Sequence, residues 1–224
     1  MRSPFIITID GPAGAGKSTV ADLLAKRLGL LYLDTGATYR ALAYEALRQG
    51  IDPAEESRIA RLARSLRLTI RHSKARGLRL FLDGHDVTRR LRTERVTDAA
   101  AQVAQYSRVR LALVRLQRRL ARADRLVIEG RDTGSVVFPR APYKFFLTAN
   151  ASVRAKRRQS ELRQLQGRAP SLKALTADLK ERDQLDLRRR MGPLVKPARA
   201  IVLDTSRLPV QQVVARMLRH LPAL

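Results

Sequence analysis

The chain has 224 residues, 45% of them apolar, which suffices for one sizeable core or for one core with appended lobes. Cysteine is absent, which excludes disulfides, thiolate zinc sites and a thiol nucleophile, and the three histidines (His72, His85, His220) fall outside any metal-ligand spacing. Forty-five basic against 20 acidic residues give a net charge of +25, carried by 37 arginines and eight lysines, a bias toward planar donors that suit phosphate and carboxylate.

Phe5-Ile6-Ile7-Thr8-Ile9 is a short apolar run of the kind that forms a buried parallel strand. It stops at a small-residue loop from Asp10 to Gly16, and a helical pattern opens at Lys17 and stops at Gly29. Leu30 to Leu33 reads as a second buried strand, followed by Asp34-Thr35-Gly36 and a helix from about Ala37 to Arg48. This order predicts an α/β fold with a doubly wound parallel sheet. From about 67 to 88 the period changes to two: Leu66–Arg71 and Leu78–Leu82 alternate around a polar turn at Ser73–Gly77, an antiparallel hairpin, with Val87 in a short third strand. A long helical stretch from Glu94 to Ala121 is expected next, then core strands at Leu126–Ile128 and Lys144–Leu147. Residues 152–190 are helical and very basic, with a break at Gly167–Ser171, and Ile201–Leu203 gives a last strand before a closing helix from Val210 to Leu221.

No run approaches the ~18 apolar residues of a membrane span, and the N-terminus lacks a signal-peptide layout, so a cytoplasmic protein with no membrane partner is expected. Many arginines sit at spaced helical positions; Arg115, Arg118, Arg119 and Arg122 read as a solvated face. Aromatics make up only 4%, which leaves little surface for stacking single-stranded bases, and nucleic acid is not the expected partner.

Gly11-Pro12-Ala13-Gly14-Ala15-Gly16-Lys17-Ser18 fits G-x-x-x-x-G-K-[ST] at every position. Small residues let backbone N–H groups surround phosphate oxygens, and the following helix directs its positive end at them. Lys17 would bridge the β- and γ-phosphates of a nucleoside triphosphate, and the Ser18 hydroxyl would ligate Mg²⁺. Two further segments, Leu33–Arg40 and Ile128–Pro139, follow the carboxyl ends of strands, where doubly wound folds place ligands. Each carries an acid and an arginine a few residues apart.

With those segments in view, the sequence resembles the bacterial cytidylate kinases. The resemblance runs from Ile7 to about Ser206 and rests on Gly11–Thr19, Leu33–Arg40, Asp86–Arg92, Ala99–Arg110, Gly130–Pro139, Arg154–Arg158, Lys180–Arg189 with Pro193-Leu194, and Leu203-Asp204-Thr205. It implies transfer of the γ-phosphoryl group of ATP to CMP or dCMP with Mg²⁺, by a monomer with a P-loop core, a mobile lid and an enlarged lobe for the monophosphate. The boundaries expected are 1–36, 104–151 and 190–224 for the core, 37–103 for the lobe with its inserted hairpin, and 152–189 for the lid and the basic helix after it. Residue by residue, it implies that Gly11 to Thr19 hold the triphosphate and that Thr35 and Arg40 meet the CMP phosphate, with Arg131 on the same group. Arg110 and Asp132 would read the cytosine. Arg182 and Asp186 match a ribose-contacting pair, and Arg189 a further phosphate-binding arginine. Arg154 and Arg158 would close over ATP, so the catalytic set implied is Lys17, Arg131, Arg154, Arg158 and Arg189. Ala101 stands where some members carry a serine that helps hold the nucleotide; the missing hydroxyl removes a hydrogen bond worth about 0.5–1.5 kcal/mol. Ser135 replaces a frequent threonine and keeps the hydroxyl.

The acceptor is already an anionic phosphate oxygen, so no general base is required and direct in-line transfer is expected. Two rival readings stand beside this one: another nucleoside-monophosphate kinase (UMP, dTMP or AMP), the nearer of the two, and a basic P-loop protein that binds RNA or ribosomes. The second leaves the two acid–arginine segments without a role.

Overall fold

The computed structural model of the chain describes residues 5–73, 77–121 and 125–222. The first half contains β1 (Phe5–Asp10), α1 (Lys17–Leu28), β2 (Leu31–Asp34), α2 (Thr35–Arg48), α3 (Glu56–Ser65), β3 (Leu68–Ser73), β4 (Gly77–Leu82), β5 (His85–Asp86), α4 (Glu94–Val103) and α5 (Ser107–Leu120). The second contains β6 (Arg125–Gly130), β7 (Tyr143–Thr148), α6 (Ala151–Gln166), α7 (Leu172–Leu187), β8 (Ile201–Asp204) and α8 (Val210–Leu218). Five strands form one sheet in the order β2-β6-β1-β7-β8, and three form another in the order β3-β4-β5. β1 runs parallel to β7, with Ile7 opposite Tyr143 and Asp10 opposite Phe146, and β7 runs parallel to β8. The doubly wound α/β reading therefore holds. The chain divides into two compact units: residues up to Leu30 with Val127 onward, and Leu31–Leu126.

In the first unit, Ile7 and Ile9 are fully buried, as the continuous apolar run of β1 requires of a strand covered on both faces. α1 turns Val20, Ala21, Leu24 and Ala25 inward and ends at Gly29, whose left-handed conformation closes the helix. α6 and α7 pack on each other through Ala155, Leu162, Leu175 and Leu179. Gly167, in the left-handed region, ends α6, and the Ser171 hydroxyl accepts the Ala174 N–H to start α7, so the expected break falls where the sequence puts it.

In the second unit, Leu42, Ile59, Leu113, Leu68, Leu80 and Leu82 belong to one core cluster. Each such side chain contributes about 1.5–3 kcal/mol when fully buried. The hairpin register sets Leu68 against Leu82 and Ile70 against Leu80, so the period-two pattern delivers one apolar face; residues 74–76 of its turn lie outside the described residues. Val87 falls just after β5 and donates its N–H to the Leu80 carbonyl.

Two local expectations change. The single long helix from Glu94 to Ala121 is two helices, separated at Ala104–Tyr106. Tyr106 takes an extended conformation, and its hydroxyl donates to the Ala54 carbonyl at 3.3 Å. The break lets α4 bury Val96, Ala99 and Ala100 beside Ala43 while α5 buries Val109 and Leu113 in the main cluster. Without Gly or Pro at the joint, periodicity alone reads through it. The segment between Arg48 and Leu66, for which the pattern gives no element, contains α3, which buries Ile59, Ala60 and Ala63. Arg115, Arg118 and Arg119 are exposed along α5, and Arg122 lies outside the described residues.

Candidate active site

The phosphate loop of the first unit occupies residues 11–16 between β1 and α1. Its glycines are required by contact and by backbone. Gly11 has φ +148°, and a Cβ there would sit 2.1 Å from the Leu147 carbonyl oxygen. Gly14, at φ +74°, would place one 2.9 Å from the Arg154 Cβ. Gly11→Ala is therefore expected to destabilise the protein by about 3 kcal/mol or more, because the obstacle is backbone rather than a movable side chain. A denaturant melt that moves by less than about 1 kcal/mol would contradict this.

Three carbonyls of the loop are engaged by the protein. Lys17 Nζ donates to Pro12 O at 2.7 Å, Arg154 Nη1 to Ala13 O at 3.1 Å, and Thr205 Oγ1 to Ala15 O at 3.0 Å. α1 begins after Gly16 with no side-chain cap and no acid in its first turn. A loop held by its carbonyls, running into an uncapped helix start, presents its remaining N–H dipoles to an anion. Ser18 Oγ donates to Glu129 Oε1 at 2.8 Å. A hydroxyl beside a buried carboxylate forms a hard-oxygen pair of the kind that would hold Mg²⁺. Glu129 was not singled out from the sequence; its signal is the acid at the carboxyl end of a buried strand.

Lys17 is buried, and that burial, with the charge of Arg131 beside it, lowers its pKa to about 7; Glu129, Asp186 and Asp10 act in the opposite direction. Arg131 Nε donates to Asp186 Oδ2 at 2.7 Å, and Arg189 pairs with the other oxygen of the same carboxylate. Burial opposes the Asp186 charge, but Arg131 and Arg189 outweigh it and hold the carboxyl below its ordinary value. The same unit thus brings Lys17, Arg131, Asp186 and Arg189 into one electrostatic cluster.

The other arginines of this unit have separate engagements. Arg154, buried, pairs with Asp183 at 2.7 Å in addition to its contact with the loop. Arg158 pairs with Glu161 on its own helix at 2.9 Å, and Arg182 lies 4.0 Å from Asp178. Arg157, whose direction the sequence leaves open, donates from Nη1 to Thr205 Oγ1 at 3.0 Å and from Nη2 to Thr205 O at 2.7 Å. Thr205, the last residue of the Leu203-Asp204-Thr205 segment, therefore links α6 to the loop. Asp132 is buried, and its carbonyl accepts from Val136 and Val137 at 2.8 and 3.2 Å in the turn that follows it.

The second unit holds the remaining site residues. Thr35 opens α2 and is buried. Asp34 caps that helix by accepting the Ala37 N–H at 3.0 Å, and its other oxygen accepts from Arg40 Nη2 at 2.6 Å. A Cβ on Gly36 would lie 3.1 Å from both Arg40 Nη1 and Asp34 Oδ1, so glycine makes room for that pair. Thr38 Oγ1 donates to Thr35 O at 2.7 Å and accepts from Gln117 Nε2 at 2.9 Å, a buried chain that fixes the start of α2 to α5. Arg110 on α5 is 1% exposed, an extreme burial for a guanidinium. Its guanidinium carbon lies 5.5 Å from the Tyr39 ring centroid, and Nη1 donates to Ala104 O at 3.3 Å. Ala101 stands on α4, half-buried.

Strand, glycine loop, lysine and helix in this geometry, with a hydroxyl–carboxylate pair and a cluster of arginines, define a P-loop nucleotide-binding protein of the α/β class. The family described as cytidylate kinase matches residues 7–223. The chain is 46% identical to a cytidylate kinase of Pelotomaculum thermopropionicum over 217 residues, covering 97% of this chain and 96% of that protein. It is 46% identical to one of Desulfitobacterium hafniense (97% and 93% covered) and 44% identical to one of Symbiobacterium thermophilum (96% and 95% covered). The chain belongs to the cytidylate kinase family. Among solved structures, an uncharacterized protein from Eubacterium ventriosum superposes with a TM-score of 0.51 at 14% identity, covering 96% of this chain and 97% of that one, a likeness of fold alone.

Proposed function

We propose that the protein is a (d)CMP kinase, a nucleoside-monophosphate kinase that transfers the γ-phosphoryl group of ATP to CMP or dCMP, giving ADP and CDP or dCDP. The observation that carries the reading is the cluster of Lys17 with Arg131, Asp186 and Arg189 beside the phosphate loop, in a chain of the cytidylate kinase family. Residues 11–19 hold the triphosphate, and Ser18 with Glu129 hold Mg²⁺, which when bound neutralises charge on the donor phosphates. Thr35, Arg40 and Arg131 grip the acceptor phosphate, Arg110 and Asp132 read the base, and Ala101 lines the same subsite. Arg182 and Asp186 meet the ribose, and Arg189 the phosphate. α6 brings Arg154 and Arg158 to the donor, with 152–189 forming the lid and the basic helix after it. Lobe 37–103 and the three core segments complete this division. Action as a monomer in the cytoplasm, where nucleotides are the substrates, belongs to the same reading.

The chemistry follows from charge. The acceptor oxygen is an anion, so nothing has to remove a proton from it at neutral pH. The obstacle is approach: each pair of unit charges ~4 Å apart opposes contact by about 4 kcal/mol at an effective dielectric of ~20. Lys17, Arg131 and Arg189 offset that repulsion and stabilise charge on the migrating group, while a closed lid keeps water from accepting it. Release of ADP is to be measured with Mg-ATP and CMP, dCMP, UMP, dTMP, AMP or GMP. Turnover confined to CMP and dCMP is expected; dominant UMP turnover, or none with any monophosphate, would overturn the assignment. Arg40→Ala is expected to weaken CMP binding by about 10-fold or more, the loss of a charge-assisted contact, and to leave ATP binding within about twofold. Calorimetric titration with each nucleotide checks it.

A further inference from the structure

Asp10 closes β1 one residue before the phosphate loop, and the proposed chemistry makes no use of its carboxylate. It is 0% exposed. Both oxygens are engaged, and by a single turn: the Thr133 N–H and hydroxyl donate to Oδ1 at 2.7 and 2.8 Å, and the Gly134 N–H donates to Oδ2 at 2.8 Å. Burial pushes the carboxyl above its ordinary value, against the pull of those three bonds. A carboxylate in such a place is a costly way to tie two segments together. It is, however, an acceptor at every lone pair, so it holds three donors in one fixed fork without contributing a donor that could reorient.

The turn is also pressed onto the strand. A Cβ on Gly134 would meet Thr8 Oγ1 at 2.7 Å, Pro197 Cγ at 3.1 Å and Asp10 Oδ2 at 3.2 Å. The residues immediately before the clamped pair are Arg131 and Asp132, the first of which reaches Asp186 from this position. One side chain at the root of the donor loop therefore fixes the segment that carries two of the proposed acceptor contacts.

We propose that Asp10 is a positioning residue for phosphoryl transfer: by clamping the Thr133–Gly134 turn to the root of the phosphate loop, it aligns Arg131 and Asp132 with the donor. This rests on the cytidylate kinase reading above. The phosphate loop itself does not depend on the clamp, because Asp10 pairs with Phe146 in the sheet and Lys17, Arg154 and Thr205 hold the loop carbonyls. Loss of the carboxylate should therefore act on the acceptor and spare the donor.

Asp10→Asn keeps the shape but turns an NH2 toward an N–H donor of the turn. The expected result is a fall of about 10–100-fold in kcat/KM for CMP, the scale of a misplacement near 1 Å, with the Kd for ATP within about twofold by calorimetry. Thr133→Val, which removes one of the three donors, should show a smaller loss of the same kind, and Thr133→Ser should restore the wild-type value. Unchanged kcat/KM for CMP in a folded Asp10→Asn, or a parallel loss of ATP affinity, overturns the proposal, since a purely structural tie would weaken both substrates together. If Asp10→Asn does not fold, the Thr133 pair decides by the same criteria. Wild-type protein assayed alongside separates the two levels: no CMP turnover there overturns the kinase reading and the clamp with it, whereas turnover with indifferent variants overturns the clamp alone.

Discussion

Lys17→Ala is expected to lower kcat with CMP by about 10²–10³-fold, the cost of removing one preorganised charge from a transition state that spreads negative charge over the migrating group. The loop that presents Lys17 is held by Arg154 and Thr205 as well, so the variant folds and the loss falls on the chemistry. The free protein keeps this ammonium at a disadvantage: burial and the neighbouring Arg131 lower its pKa to about 7 from an ordinary 10.5. Between those two values the unfolded chain binds more protons than the folded one, so this group's contribution to stability rises as pH rises from about 7 to 10.5. Below pH 7 the folded state carries the full cost of the buried charge. Triphosphate reverses the balance by supplying anions beside the amine. At pH 8 a group with a pKa near 7 is mostly neutral, so ATP binding is expected to take up a proton in part. Calorimetry in buffers of different ionisation enthalpy reads that uptake as a slope. A slope near zero in the wild type would mean that Lys17 is already charged in the free protein, and one that survives Lys17→Ala that another group takes up the proton.

What could be read from the sequence divides along physical lines. The phosphate loop was legible because its constraints are local: a left-handed Gly14 and a Gly11 pressed on Leu147 have to be glycine whatever surrounds them. β1 was legible because a strand buried on both faces is apolar throughout, and the hairpin because alternation matches the pleat. The joint between α4 and α5 was not, since Tyr106 leaves the helix to reach Ala54, 52 positions away. The contacts of Glu129, Asp183 and Thr205 escaped for the same reason, although the segments that carry them stand out in the sequence. Their partners, Ser18, Arg154 and Arg157, are set by the packing of distant segments. Arg157 shows the limit clearly: its neighbours in sequence do not say whether it meets water or Thr205. The family resemblance supplied roles for Arg110 and Arg189 that spacing alone does not, and the structure adds that both are largely shielded from solvent.

Arg131 and Asp186 should separate rate from stability. Arg131→Ala is expected to lower kcat by about 10³–10⁵-fold, the range for an arginine that stabilises a transferring phosphoryl group, while Asp186 keeps Arg189 as its partner. Asp186→Asn removes the one carboxylate shared by two guanidiniums, close to the buried Lys17. Breaking a buried pair from one side typically costs about 3–5 kcal/mol, and here Glu129 and Asp183 still act on Arg131, which favours the lower end. Asp186→Asn is therefore the less stable variant and Arg131→Ala the slower one. The pH dependence gives an independent reading. Arg131 and Arg189 overcome the burial of Asp186 and hold its carboxyl below the ordinary 3.8, so its stabilising contribution is complete above that value. It is lost as pH falls through the lowered pKa. The stability gap between wild type and Asp186→Asn should accordingly be constant near neutrality and close below about pH 4, as followed by denaturant melts. Nucleotide phosphates can take the place of the missing carboxylate beside the same arginines. Inorganic tripolyphosphate, which has no ribose for Asp186 to contact, is thus expected to raise the Tm of Asp186→Asn by more than that of the wild type. An equal rise in both would mean that Arg131 and Arg189 are not where the phosphates bind.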